Sequence, residues 1–286
     1  MKPNVYNYLN YREYLRDHYD YLKKNEGMTL RDFARKAGFN THTFLSNVVE
    51  NKRSLSVDSA GKVARAFALK PDQRTFLELL VRFNNAETVD EKNDVYEQMR
   101  AAVPRSEIRR IGSEYYDIFR NAYVLTVREI VSLPGFKADP KWIAKKLHPH
   151  ITPAQAEKAL KILTENGLIE RDERGKLKQA HADITTGAEV RSLAVALYHK
   201  QLLQFAAISI DDTPAKNRDI SSLTLNVSKS DFDFIKKRTA DFRREILDFL
   251  KKKREDAAAE FPDENERALY YLNMQFFNAT EIPWQG

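Results

Sequence analysis

One stretch constrains this chain more than any other: Thr29-Leu30-Arg31-Asp32-Phe33-Ala34-Arg35-Lys36-Ala37-Gly38-Phe39. Where two short helices cross closely, a small residue must sit at the contact, and Ala34 supplies it. Four residues later Gly38 accepts the left-handed conformation of a sharp turn. Phe33, Ala37 and Phe39 then face a small core. In the usual spacing the second helix would next bury Phe44 and Asn47, which would put an amide in the core. Lengthening the turn by one residue places Leu45 and Val48 there instead. The sequence therefore predicts a helix-turn-helix with a turn one residue longer than standard, Asn40-Thr41-His42 forming the turn and helix start.

That register exposes Thr41, His42, Thr43, Ser46 and Asn47, short polar groups able to reach base edges or phosphates in a major groove. In the loop that follows, Asn51 suits a positive φ, and Lys52 and Arg53 suit a phosphate backbone. Arg31 is placed to hold a second phosphate. The charge distribution agrees. The net charge is +6, yet residues 27–70 alone carry eight Lys or Arg against three acids, and residues 71–286 balance to zero. Releasing counterions from DNA requires such a local concentration of cations. The expected function is that of a sequence-specific, double-stranded-DNA-binding transcriptional regulator. The alternative is a protein-interaction adaptor that uses the same helices as a scaffold.

The expected fold is mainly α. Before the motif, residues 4–24 place Tyr8, Tyr11, Leu15, Tyr19 and Leu22 near helical spacing. Short helices are expected at 29–37, 41–50, 57–68 and 71–85, with Pro71 at a first helical position, and another at 90–100. Residues 101–112, polar and containing Pro104, are the best linker. An apolar helix over 113–133 precedes Pro134-Gly135. Two helices (139–147 and 152–166) and a strand-turn-strand over 168–178 then follow the order of a winged helix. A helix over 186–207, a strand at 222–227, a long helix to about 256 and a last strand at 270–277 complete the reading. The domains expected are 1–100 (five-helix DNA-binding unit with its aromatic N-terminal helix), 101–135 (linker and connecting helix), 136–183 (winged-helix-like) and 184–286 (a small α+β dimerisation or sensor unit).

The winged-helix-like unit offers a second possible DNA contact through Lys158, Lys161 and Arg174. Its wing carries three cations against three acids, which favours interaction or scaffolding over groove binding. His148 and His150 with His181 are the one tempting metal cluster, and exposed histidines at a helix end explain them better. Asp211-Asp212 and Asp231 with Asp233 sit beside turn or cap signals. No phosphate-cradling glycine loop, Gly-x-Ser-x-Gly or His-Glu-x-x-His occurs, so no catalytic residue, cofactor or metal is expected. Cysteine is absent, and no signal-peptide core or bilayer-length apolar run is evident, so the expectation is a cytoplasmic protein with no membrane partner. Symmetric operator recognition implies a homodimer, and the C-terminal half is free to take a ligand or protein partner.

Residues 28–70 resemble the Cro/C1 (XRE) helix-turn-helix family, in which five helices bind operators, usually as a dimer. The whole chain further resembles a family of uncharacterised bacterial proteins, presumed transcriptional regulators, with a C-terminal domain of unknown function. The resemblance is carried by Tyr8-Leu9-Asn10-Tyr11-Arg12, Ala37-Gly38-Phe39, Asn51-Lys52-Arg53-Ser54-Leu55 and Leu80-Val81-Arg82-Phe83-Asn84. Asn51 stands where that class of domain usually has glycine.

Overall fold

The structure, a computed structural model, describes residues 2–103, 113–180, 188–256 and 267–282. Within these the chain is mainly helical. After a 3-10 turn at Val5–Asn7 come α1 (Tyr11–Glu26), α2 (Leu30–Ala37), α3 (Phe44–Val49), α4 (Val57–Ala66), α5 (Pro71–Asn85) and α6 (Val89–Ala102). The second half holds α7 (Ser113–Phe119), α8 (Ala122–Ile130), α9 (Pro140–Lys146), α10 (Pro153–Glu165), strands β1 (Ile169–Arg171) and β2 (Leu177–Gln179), α11 (Ala188–Asp212) and α12 (Lys229–Asp256). The two strands form an antiparallel hairpin with Glu170 opposite Lys178. Most of the expected linker lies outside the described residues.

Local chemistry explains most boundaries. Asn10, Thr29, Ser56, Thr88, Asp139 and Thr152 each accept a backbone N–H of the first turn of the helix that follows, which satisfies donors the helix itself cannot. At Thr29 the exchange is reciprocal with Asp32, and those hydrogen bonds hold the Asp32 carboxyl below its ordinary value. Gly27 and Gly38 end α1 and α2 in the left-handed region.

Two apolar cores form. The first joins α1 to α6, including Tyr14, Phe33, Phe67 and Phe76, and it extends to Tyr116 of α7 and to Val190, Leu193 and Ala194 of α11. The second gathers Val124, Val127, Ile143, Ala159, Leu163 and Ile169 from α8, α9, α10 and β1. Arg100 of α6 ties the units together through a two-pronged ion pair with Asp117 of α7, at 2.9 and 2.8 Å.

Several expectations change. The helix expected from residue 4 begins at Tyr11, because Asn10 caps it and residues 5–7 turn separately. The connecting helix over 113–133 is two helices, and the break after Phe119 is satisfied from far along the chain: the Gln201 side chain accepts from Ala122 N at 2.9 Å and donates to Arg120 O. No strand forms at 222–227 or 270–277, so the C-terminal unit lacks the β component expected of it among the described residues. Neither segment has a ladder partner among the described residues. Finally, one helix, α11 over Val190–Asp212, is long and apolar enough by composition to cross a membrane, with a mean hydropathy of 1.2. Counting uninterrupted apolar residues missed it, because Arg191, His199 and Lys200 break the run.

Candidate nucleic-acid interface

The paired helices α2 and α3 are joined by residues 38–43. At Gly38, φ is 75° and its N–H donates to Ala34 O and Arg35 O, so the turn begins where the Ala34/Gly38 spacing placed it. The second helix starts later than expected, at Phe44 rather than near residue 41. The Phe39 and Phe44 rings stack at 3.7 Å between centroids, and this contact brackets the turn. Thr41, His42 and Thr43 therefore stand on the turn and not on the first helical turn, and all three are exposed. Leu45 and Val48 are buried as the longer-turn register requires, and Phe44 joins them. Ser46 and Asn47 are half-buried. Ser46 Oγ donates to Thr43 O at 2.9 Å, which fastens the start of α3.

The loop after α3 is held from three directions. Asn47 O accepts from Lys52 N and Arg53 N, and Asn51 adopts a φ of 61°. Arg12 of α1 donates through one guanidinium nitrogen to Val48 O at 2.7 Å and to Arg53 O at 3.1 Å. Tyr11 Oη accepts from Leu55 N at 3.2 Å, while Asn85 Nδ2 donates to Leu55 O at 2.8 Å. Asn84 closes the circuit, accepting from Tyr11 N and donating to Leu9 O. Arg12, Tyr11, Asn84 and Asn85 are positioning residues that the sequence reading did not single out. The available signal was the recurrence of Asn and Tyr beside helix caps in the very stretches that carried the family resemblance.

The cations divide into two groups. Lys52 Nζ pairs with Glu50 at 2.6 Å, Arg35 with Asp32 at 2.8 Å and Lys62 with Asp58 at 3.2 Å. Each pair is solvent-exposed, where such bridges contribute about 0–1 kcal/mol and exchange readily for a phosphate. Among the described residues Arg31, Lys36, Arg53 and Arg65 are exposed and make no ion pair. Arg53 lies 4.9 Å over the ring of Phe44, so the first residue of α3 also orients the cation that follows its end. Of the expected contacts, Arg31, Thr41, His42, Thr43, Lys52 and Arg53 are therefore accessible, and Ser46 and Asn47 are partly so.

The second candidate surface is less uniform. Lys158, Lys161 and Arg174 are exposed. Lys161 lies 3.8 Å from Glu165, Lys178 pairs with Glu170 at 3.0 Å, and Arg171 donates to Gly175 O at 2.7 Å. Acids and cations alternate across this face, and the hairpin's Glu170, Arg171, Asp172 and Lys178 side chains are bonded locally. His150 Nδ1 lies 2.7 Å from Leu147 O, and the His148 and His150 rings are 6.1 Å apart. His181 lies outside the described residues, and among those described no three His, Asp or Glu side chains cluster as metal ligands would. Asp231 accepts from Ser228 N and Oγ at the head of α12, the capping role its position suggested.

No curated protein and no solved structure matches this chain. A family defined by a domain of unknown function, DUF4423, matches residues 103–278. The match begins inside the expected linker and leaves α1 to α6 wholly outside it. It spans the α7–α10 unit with its hairpin and continues through α11 and α12, more than half of the chain. The protein belongs to the DUF4423 family.

Proposed function

We propose that this protein is a sequence-specific DNA-binding transcriptional regulator whose N-terminal helices act as a Cro/C1-like helix-turn-helix. One observation carries the reading. The turn 41–43 and the loop 51–54 project from the same short helix pair, with Thr41, His42, Thr43, Lys52 and Arg53 all exposed, and the excess positive charge of the chain is concentrated in this segment. In that arrangement Arg31, Lys52 and Arg53 contact phosphates, while Thr43, Ser46 and Asn47 meet base edges. The unit from α8 to β2 serves as a winged-helix-like scaffold, since its mixed charges give little attraction for a polyanion. The protein is a non-enzymatic, cytoplasmic homodimer in this reading, with no cofactor.

A DNA shift assay tests it. Changing Lys52 and Arg53 together to Ala lowers affinity for all sequences and reduces the slope of log affinity against log salt by about two. Asn47→Ala instead alters preference among sequences. Absence of any shift with pooled genomic DNA at low salt overturns the reading and favours the adaptor.

A further inference from the structure

Every large hydrophobic side chain that stands exposed, except Val57, lies between Leu203 and Phe277 among the described residues. Leu223 is 84% exposed, Phe249 64% and Phe277 79%. The first hundred residues bury theirs almost completely, so this is not a general looseness of the chain. A contiguous unit with so much open apolar surface marks an interaction face.

The C-terminal unit is incomplete in a second respect. Residues 219–227 and 268–279 form neither helix nor strand, and none of their N–H or C=O groups takes part in a backbone–backbone hydrogen bond among the described residues. Unpaired backbone groups of this kind are available for pairing with another chain. The third observation concerns α12, which makes no extensive packing contact with any other element. Phe232, Ile235, Thr239, Phe242, Ile246 and Phe249 repeat along it at alternating intervals of three and four, the seam of a two-helix coiled coil. Phe232 touches Phe276; beyond it the seam is exposed at Phe242 and Phe249 and half-buried at Ile235, Thr239 and Ile246.

The charges beside that seam identify the occupant. One flank reads Asp231, Arg238, Glu245, Lys252, all exposed and alternating in sign. If a second α12 lies antiparallel, with Phe232 facing the partner subunit's Phe249, then Asp231 meets the partner's Lys252 and Arg238 meets the partner's Glu245. Symmetry doubles both pairs. A parallel arrangement would set Arg238 against the partner's Arg243. This flank is thus complementary to itself when reversed, with two attractive pairs set against one like-charge pair on the other flank, Lys236 with the partner's Arg243.

We infer that the exposed apolar surface of residues 203–256 and 267–277 is a homodimer interface, built on antiparallel pairing of α12 with α12 of a second copy of this chain. It extends the operator-binding reading but does not depend on it, because none of these residues belongs to the helices proposed to meet DNA.

Charge reversal in the full-length chain tests the register. By sedimentation velocity across the micromolar range the protein is expected to be a dimer. Arg238→Glu or Glu245→Arg alone raises the dimer Kd roughly ten- to thirty-fold, because two symmetric pairs turn repulsive. The double variant restores the Kd to within about three-fold of the parent. These side chains are exposed, so each variant retains the helical circular dichroism of the parent. The chain has no cysteine, so spin labels on Ser230→Cys report direction: about 35 Å apart for antiparallel helices and about 10–15 Å for parallel ones. A monomer at all concentrations, a dimer indifferent to the single reversals, or failure of the double variant to recover overturns the inference. A monomer that still shifts DNA sinks this inference alone, and a dimer that shifts no DNA sinks the regulator reading alone.

Discussion

His18 is fully buried against the Phe67 ring, 4.4 Å between centroids, and neither ring nitrogen finds a hydrogen-bond partner. Burial, with a smaller contribution from the positive charge of Lys2, pulls its pKa from the ordinary 6.5 down to about 4. The consequence has a definite sign. The unfolded chain takes up the proton near pH 6.5, whereas the folded protein resists it until about pH 4, so the unfolded state binds more protons between these values. Stability is complete above pH 6.5 and falls with pH through the interval, by about 3 kcal/mol in all. Urea unfolding at a series of pH values measures this. His18→Phe keeps an aromatic partner for Phe67 and is expected to flatten the profile between pH 4 and 6.5; an unchanged profile would assign the acid sensitivity elsewhere. The same core shows what residue patterns convey. The spacing of Tyr11, Leu15 and Leu22 identified a buried face, but that His18 joins it, unpaired, depends on Phe67 arriving from α4.

At the scale of elements, the turn between α2 and α3 depends on a backbone conformation. Gly38 has φ 75°, and a Cβ placed there would meet no atom within 4 Å. Gly38→Ala therefore costs only the left-handed conformation, about 1–2 kcal/mol, measurable by denaturant unfolding. Gly38→Asn should cost less, and a substitution by Ala without effect would mean that the turn relaxes to another conformation. This turn was legible in the sequence because its determinants are local: a small residue at Ala34 and a glycine four residues on. The starts of α4, α5, α9 and α10 were legible for the same reason. What escaped was non-local. Nothing near Asn121 announces the break between α7 and α8, since its satisfying group, Gln201, lies on α11. The late start of α3 follows from the Phe39–Phe44 stack, a contact that spacing alone does not rank above the helical tendency of residues 41–43. The alternation over 222–227 and 270–277 read as strand, but a strand also needs a neighbour, and neither segment has one among the described residues. In the candidate site the exposed cations were legible from charge counting. The Glu50 partner of Lys52 and the hold of Arg12 on the end of α3 were not, because both depend on how side chains meet in space.

For the whole molecule, the family match and the packing divide the chain differently. The DUF4423 match starts at residue 103, yet Val190, Leu193 and Ala194 of α11 are buried in the same core as α5 and α6. Arg100 and Asp117 bridge the same boundary. The N-terminal helices are therefore not an independent module hung on a linker; the family domain supplies part of their core. Removing residues after 102 would strip that cover, which makes a truncated fragment a poor test of DNA binding. A point change is cleaner. Leu193→Ala deletes side-chain volume at a position that is 3% exposed, and large-to-small core changes of this kind cost about 2–5 kcal/mol. The loss is expected in the N-terminal core, followed through the near-ultraviolet circular dichroism of its many tyrosines, although residue 193 lies far along the chain. Fluorescence of Trp142, which packs against the second core, reports the other unit in the same sample. If the tyrosine signal melts earlier and Trp142 follows it, the two cores unfold together, and a signal bound by the family domain has a mechanical route to the α2–α3 surface. If the tyrosine transition does not move, α11 only rests on the N-terminal helices, and coupling between the halves must be sought across the proposed dimer instead.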